Sequence, residues 1–447
     1  MNEKRFSNPK GWLIGLVILV VLMVPLLFIA IDDNKSVPSN QGATTSPPAG
    51  PTTGSTAAPG PTPSVTPEIT TAPTQALVKS IKTQLDESWT DYSKRFIQAD
   101  GRVMDPYQEA LTTSEGQSYA LLRAVWQNDR ETFKRVLAWT QSNLQTRGTD
   151  KLFAFKWGKS DNGQWHVLDK SSATDADSDI ALALLFAGKI WSDDTFHRLG
   201  IEVLNSIWDK SVLTLNSKPY LTAGDWAPAQ ERPALNPSYL SPYAYRIFAT
   251  FDKAHKWGDL VDTSYEVIQG CSKATLAGLG GKNLAPNFCG INKQDGTFTT
   301  AQDYPSLNTN YGYDAFRTHW RLALDYKWFG EKRALDYLTA SNLPRELFKQ
   351  NNRLDAEYDH SGKVITPGED LAVYAGTLGN FMATDPALAQ SLVNSKLLPT
   401  YKKVVDNDFA RAFSGWGDTR NYYNQNWVWF GLALYSDNLP NLAAGQN

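Results

Sequence analysis

Three short stretches put acidic residues where a helix would present apolar ones. In residues 112–126, TTSEGQSYALLRAVW, the residues Glu115, Tyr119, Leu122 and Trp126 fall at i, i+4, i+7 and i+11, on one helical face. Thr112 and Glu115 have the spacing of a capping box, in which the glutamate reaches back to the first amide. The other reading is a carboxyl pushed into an enclosed, aromatic-lined place to do chemistry. In SATDADSDIALALLFAGKIW, starting at Ser172, Asp175, Asp177 and Asp179 crowd one helix start. The helix dipole favours acids there, yet Asp177 lies on the face of Ile180, Ala181 and Leu184. In YGYDAFRTHWRLALDYKWFG, starting at Tyr311, Asp314 and Arg317 stand three apart on an expected helix. That is either a surface ion pair of little energetic weight or a guanidinium that keeps an aspartate ionised, as a general base must be.

Other chemistries lack their residues. The five histidines, His166, His197, His255, His319 and His360, form no H-E-x-x-H pattern, and there is no C-x-x-C. No G-x-S-x-G elbow, phosphate loop or dinucleotide fingerprint occurs. The Asp175, Asp177, Asp179 run begins like a calcium loop, but Ile180 stands where the turn glycine belongs. Carboxylate chemistry is what remains, with no metal and no cofactor.

The elements that must position these acids are helices. From residue 76 onward, windows such as LVKSIKTQLDESWTDYSKRFI, ETFKRVLAWTQSNL, TFHRLGIEVLNSIWDK, YAYRIFATFDKAH, RALDYLTASNLPRELF, ALAQSLVNSKLL and NQNWVWFGLALYS keep a period near 3.6. Roughly ten to twelve such windows are joined by Gly-, Pro- and Asn-rich loops, without βαβ spacing. The expectation is an all-α domain over residues 76–447.

The 447 residues are 42% hydrophobic with a formal net charge of -3, enough for a large core and no attraction for nucleic acid. Fifteen tryptophans and nineteen tyrosines are core material or flat plates for sugar rings, so a carbohydrate ligand stays in view. Residues 12–31, WLIGLVILVVLMVPLLFIAI, form an uncharged run of bilayer-spanning length. Lys4, Arg5 and Lys10 precede it, so residues 1–11 are expected in the cytoplasm and the rest outside. A cleaved signal peptide, which would release the protein, is the competitor, but no A-x-A site follows. Residues 32–75 are rich in Pro, Thr, Ser, Gly and Ala and read as a solvated tether. Cys271 and Cys289, outside the membrane, are expected to close a loop disulfide, with two buried thiols as the alternative.

The stretch ATDADSDIALALLFAGKIW resembles the signature of glycoside hydrolase family 8. TSEGQSYALL, NPSYLSPYAYRIFA and YGYDAFRTHWRLALDY resemble the family's other segments in order, from residue 76 to about 436. The resemblance implies an (α/α)6 barrel with a substrate cleft across one end, and an inverting, endo-acting glycosidase on β-1,4-linked glucan, xylan or chitosan. By position it makes Glu115 the general acid, Asp314 the base and Asp175 the carboxylate at the centre of the cleft. Tyr313 and Arg317 match residues that position the base and the sugar, and Tyr239 matches a sugar contact. Members with chitosanase-like activity take a glutamate base from an inserted loop; residues 270–300 could be such an insertion but hold Asp295 and no glutamate. The leading expectation is therefore a monomeric, membrane-tethered endo-β-1,4-glucanase with its catalytic domain outside the cell. A chitosanase or xylanase, and a catalytically silent glucan-binding protein, are the alternatives.

Overall fold

The computed structural model describes residues 73–301, 307–406 and 411–444. The expected membrane anchor at 12–31 and the tether up to residue 72 lie outside the described residues. Among the described residues no helix is long and apolar enough to cross a membrane. Thr74, placed by the sequence in the tether, instead caps the first helix, its hydroxyl accepting from the Leu77 amide.

Thirteen α-helices follow among the described residues: α1 (Gln75–Arg95), α2 (Ser114–Trp126), α3 (Arg130–Asn143), α4 (Thr174–Trp191), α5 (Asp194–Ser211), α6 (Pro242–Phe251), α7 (Trp257–Lys273), α8 (Arg317–Phe329), α9 (Lys332–Ala340), α10 (Leu343–Asn351), α11 (Leu371–Thr384), α12 (Pro386–Leu392) and α13 (Tyr422–Tyr435). They sort into two kinds. In α4 every residue from Thr174 to Gly188 is buried, and α11 and α13 are nearly as enclosed. Helices that are buried all round belong at the centre. Others bury one stripe, such as Ile81, Leu85, Trp89 and Tyr92 of α1, or Phe196, Gly200, Val203, Leu204 and Ile207 of α5. Those belong outside.

The packing follows that division. The inner series α2, α4, α6, α8, α11, α13 packs neighbour to neighbour, and α3, α5, α7, α9, α12 and α1 cover α2, α4, α6, α8, α11 and α13 in turn. The ring closes through Tyr119 of α2, which meets Trp427 and Phe430 of α13 edge to face. This arrangement is consistent with an (α/α)6 barrel. Its centre is aromatic: Trp320 of α8 touches Tyr243, Trp427 and Phe430. Much of the tryptophan and tyrosine excess is therefore core packing.

α7 and α11 are the helices that the apolar windows do not include. α11 fits between its neighbours through glycine: a Cβ on Gly379 would stand 2.7 Å from the His319 carbonyl, and one on Gly431 of α13 would stand 2.6 Å from that of Ala375. Buried from Ala372 to Phe381, α11 leaves no single stripe to count. The window RALDYLTASNLPRELF divides into α9 and α10, with Pro344 in the first turn of α10, where a missing amide costs nothing.

The fold is mostly helical rather than all-α. Short antiparallel strands, including β1 (Thr112–Thr113), β2 (Lys156–Lys159) and β3 (Trp165–Asp169), form small sheets in the loops. Cys271 in the last turn of α7 is bonded to Cys289, as expected.

Candidate active site

Each covering helix returns the chain, so successive inner helices run the same way and their N-termini gather at one end. Glu115 is the second residue of α2, Asp175 the second of α4, and Arg317 the first of α8. These side chains meet. The buried Arg317 Nη1 donates to Glu115 Oε2 at 2.9 Å, to Asp175 Oδ2 at 3.0 Å and to the Tyr119 hydroxyl at 3.1 Å. Its Nη2 donates to Asp314 Oδ1 at 2.5 Å. One guanidinium thus serves three carboxylates.

The capping-box reading of Glu115 is corrected. Thr113, not Thr112, caps α2, accepting from the Gly116 amide at 3.0 Å. Thr112 lies in β1 and donates its hydroxyl proton to the Val103 carbonyl. With the cap supplied elsewhere, Glu115 turns inward; its Oε1 accepts from the Tyr422 hydroxyl at 3.5 Å. Burial pushes its carboxyl up to about 7, against the pull of Arg317 and with the help of Asp175 and Asp314. A fifth of the side chain stays exposed, enough for a ligand to reach it.

The three acids of the second stretch separate. Asp175 is the one in the site; its Oδ1 is buried without a protein partner, and burial raises its carboxyl although Arg317 opposes this. Asp177 turns away to accept from the Phe153 amide, and burial raises it well above the carboxylate range. Asp179 makes a two-point pair with Arg321, at 2.9 Å on both sides, one turn below the Asp175–Arg317 contact. Ser241 and Tyr243 accept from the same guanidinium.

Asp314 is not within a helix, as the sequence suggested, but in the turn before α8. Tyr239 sits in the 3-10 turn Pro237–Tyr239, its ring 5.2 Å from the Arg317 guanidinium carbon. Tyr313 stands apart from the carboxylates: its exposed ring reaches Asp370, the N-cap of α11, at 3.3 Å. Its carbonyl accepts from the Tyr423 hydroxyl at 2.7 Å. Tyr422, Tyr423 and Asp370 were missed in the sequence. The doubled tyrosine that opens α13, just ahead of the apolar window NQNWVWFGLALYS, is the available signal. Asp295 is exposed and bonded to Thr297 in its own turn, which leaves it no part in the cluster.

Ionising all three carboxylates around one guanidinium would leave two negative charges unbalanced in a largely enclosed place. Retaining a proton is cheaper, and Glu115, pushed up to about 7 by burial, keeps a fifth of its side chain open to solvent. Among the described residues no group of three or more His, Cys, Asp or Glu is arranged to hold a metal ion. Glu115 and Asp314 contact different nitrogens of one planar group, so their contacting oxygens lie no further apart than roughly 8 Å, a bound that admits both the ~5–5.5 Å spacing of a retaining carboxyl pair and the lower part of the ~6.5–9.5 Å spacing of an inverting one. The cluster can donate a proton from one side and accept one on the other.

Comparison with known proteins gives the same direction. The model of the glycosyl hydrolases family 8 matches residues 69–432. An endoglucanase of Escherichia coli (strain K12) is 36% identical over 185 residues, 40% of this chain and 50% of that one. Endoglucanase A of Acetivibrio thermocellus is 28% identical over 331 residues, 72% of this chain and 61% of that one. The chain thus spans about half the length of the first relative and three-fifths of the second. Among solved structures, an endo-1,4-D-glucanase from Vibrio fischeri ES114 superposes with a TM-score of 0.64 at 23% identity, covering 78% of this chain and 94% of that one.

Proposed function

The chain belongs to the glycosyl hydrolases family 8, and on that premise we propose that it is an inverting, endo-acting glycoside hydrolase that cleaves β-1,4-linked glucan, either cellulose or mixed-linkage β-glucan. Glu115 is the general acid: held protonated by burial, it gives its proton to the leaving glycosidic oxygen. Asp314 is the base: paired with Arg317, it takes a proton from the water that attacks the anomeric carbon from the opposite face. Asp175, with its unpartnered Oδ1, accepts from a hydroxyl of the sugar whose bond breaks, and Tyr239 and Tyr313 contact the chain. The observation that carries this reading is the single Arg317 guanidinium bonded to Glu115, Asp175 and Asp314 at once.

The silent binding protein is disfavoured by that same cluster. Three mutually repelling acids in a mostly buried place are costly to keep, and binding alone does not need them. Chitosanase activity with a glutamate base from residues 270–300 is disfavoured because the sequence there offers only Asp295. The test is Glu115→Gln, which should abolish hydrolysis while leaving glucan binding within a few-fold. Hydrolysis unchanged, or binding lost with it, would remove Glu115 from its role.

The finer architecture belongs to this proposal as well: an (α/α)6 catalytic barrel, monomeric, held outside the cell by the 12–31 anchor through the tether that begins at residue 32 and ends before the Thr74 cap of α1. Its support is the sequence: the apolar run, the basic residues before it and the Pro/Thr/Ser composition after it.

A further inference from the structure

The turn bearing Asp314 is gripped from outside its own helix. Asn287, nearly fully buried, presents Oδ1 to the Ala315 amide at 2.9 Å. The other end of that peptide, the Asp314 carbonyl, accepts from the Arg317 amide at 3.1 Å and from Arg317 Nε at 3.2 Å. The Asp314–Ala315 peptide is therefore held at both of its polar atoms, which fixes the direction in which Asp314 leaves the backbone.

Asn287 is itself immobilised. Its backbone amide donates to the Asn310 carbonyl at 2.6 Å, and its Nδ2 donates to Asn308 Oδ1 at 2.9 Å. The next residue, Phe288, lies edge-on to Tyr239. The one after, Cys289, is bonded to Cys271 of α7 and pairs with Leu235, two residues before the turn that carries Tyr239. A three-residue segment thus touches the base turn and the sugar-contact turn, and a covalent bond ties it to a barrel helix.

From this geometry we propose that Asn287 is the positioning residue for the Asp314 base, and that the Cys271–Cys289 disulfide is the tether that holds Asn287 in place. This rests on Asp314 acting as the base. Loss of Asn287 Oδ1 leaves the Ala315 amide buried without a partner, so the peptide rotates to find one and the carboxylate moves with it. The attacking water is then badly aligned, while subsites further along the cleft are untouched. The signature is a fall in kcat with little change in KM, because an ångström of misplacement at the reacting centre is felt in the transition state and not in ground-state binding.

The experiment is steady-state kinetics on cellopentaose with the full chain, alongside a thermal midpoint for each variant. Asn287→Ala is expected to lower kcat at least tenfold with KM within about twofold of wild type. Asn287→Asp, which keeps an oxygen facing the Ala315 amide, should recover part of that loss. Cys271→Ala/Cys289→Ala leaves every hydrogen bond of Asn287 available and removes only the tether. It should lower kcat several-fold, and reduction of wild type should do the same while having no effect on the double variant. This pair keeps the proposal testable if Asn287→Ala does not fold. Wild-type kcat in Asn287→Ala, or in the double variant, would overturn it, as would kcat and KM moving together with a lower thermal midpoint. Asp314→Ala separates the two readings: wild-type activity there would overturn the functional reading and this inference with it. Normal kcat in the Asn287 variants beside an inactive Asp314→Ala would overturn this inference alone.

Discussion

The Glu115 carboxyl lies 2.9 Å from the Arg317 guanidinium, and yet it holds its proton to about pH 7. An arginine at that distance ordinarily does the opposite. Burial outweighs it here, and the arginine's charge is shared with Asp175 and Asp314.

One consequence is an alkaline limit on activity. A general acid works only while protonated, so kcat/KM on a soluble β-glucan should fall as pH rises through about 7, about tenfold per unit once well above it. A limit near the ordinary glutamate value of 4.5 would mean that Glu115 is not the acid.

The same shift weakens the fold, and the sign can be worked out. Folded Glu115 holds a proton up to about 7, but the unfolded chain releases it near 4.5. Between those values the folded state binds more protons, so this group makes stability fall as pH rises through the window. Glutamine cannot ionise. Glu115→Gln should therefore melt several degrees above wild type at pH 8, with the gap closing toward pH 4.5; calorimetry at both pH values decides. A variant less stable than wild type at pH 8 would contradict the assigned burial cost.

Arg317 is expected to be indispensable to stability as well as turnover. Arg317→Ala strands Asp175 and Asp314 without their cation, and breaking such a buried pair costs about 3–5 kcal/mol. Lysine cannot serve three acceptors from two nitrogens, so Arg317→Lys should also lose most activity. Denaturant unfolding and activity assays on both variants check this.

The Arg321–Asp179 pair one turn below should behave differently. Asp179→Asn leaves Arg321 short of its two-point partner and should cost about 3 kcal/mol of stability. Replacing both residues by apolar ones of similar size should recover much of that loss. An Asp179→Asn protein as stable as wild type would show that the pair carries no structural weight.

How much of this was legible beforehand differs by element. Glu115, Asp175 and Arg317 each sit at an inner helix start, and amphipathic or apolar windows marked those helices. The aromatic stripe of α2 already suggested enclosure around Glu115. What the sequence could not give was the sharing of Arg317, because Glu115 and Asp175 stand 202 and 142 positions from it along the chain. Periodicity alone could not separate Asp175 from Asp177 and Asp179: Asp177 faces elsewhere, but Asp179 shares a face with Asp175 one turn on, and only the family resemblance singled Asp175 out. α11 escaped because it is buried from Ala372 to Phe381, so no single apolar stripe stands out against a polar face. Asn287 escaped because a side chain that clamps a distant amide leaves no local pattern.

The most direct test of the central claim is proton NMR of cellopentaose during hydrolysis by a form beginning near Thr74. The account predicts that the first reducing ends to appear are α-anomers, converting to β only by later mutarotation. Early β-anomers would mean retention, and the pairing of Glu115 as acid with Asp314 as base would be wrong.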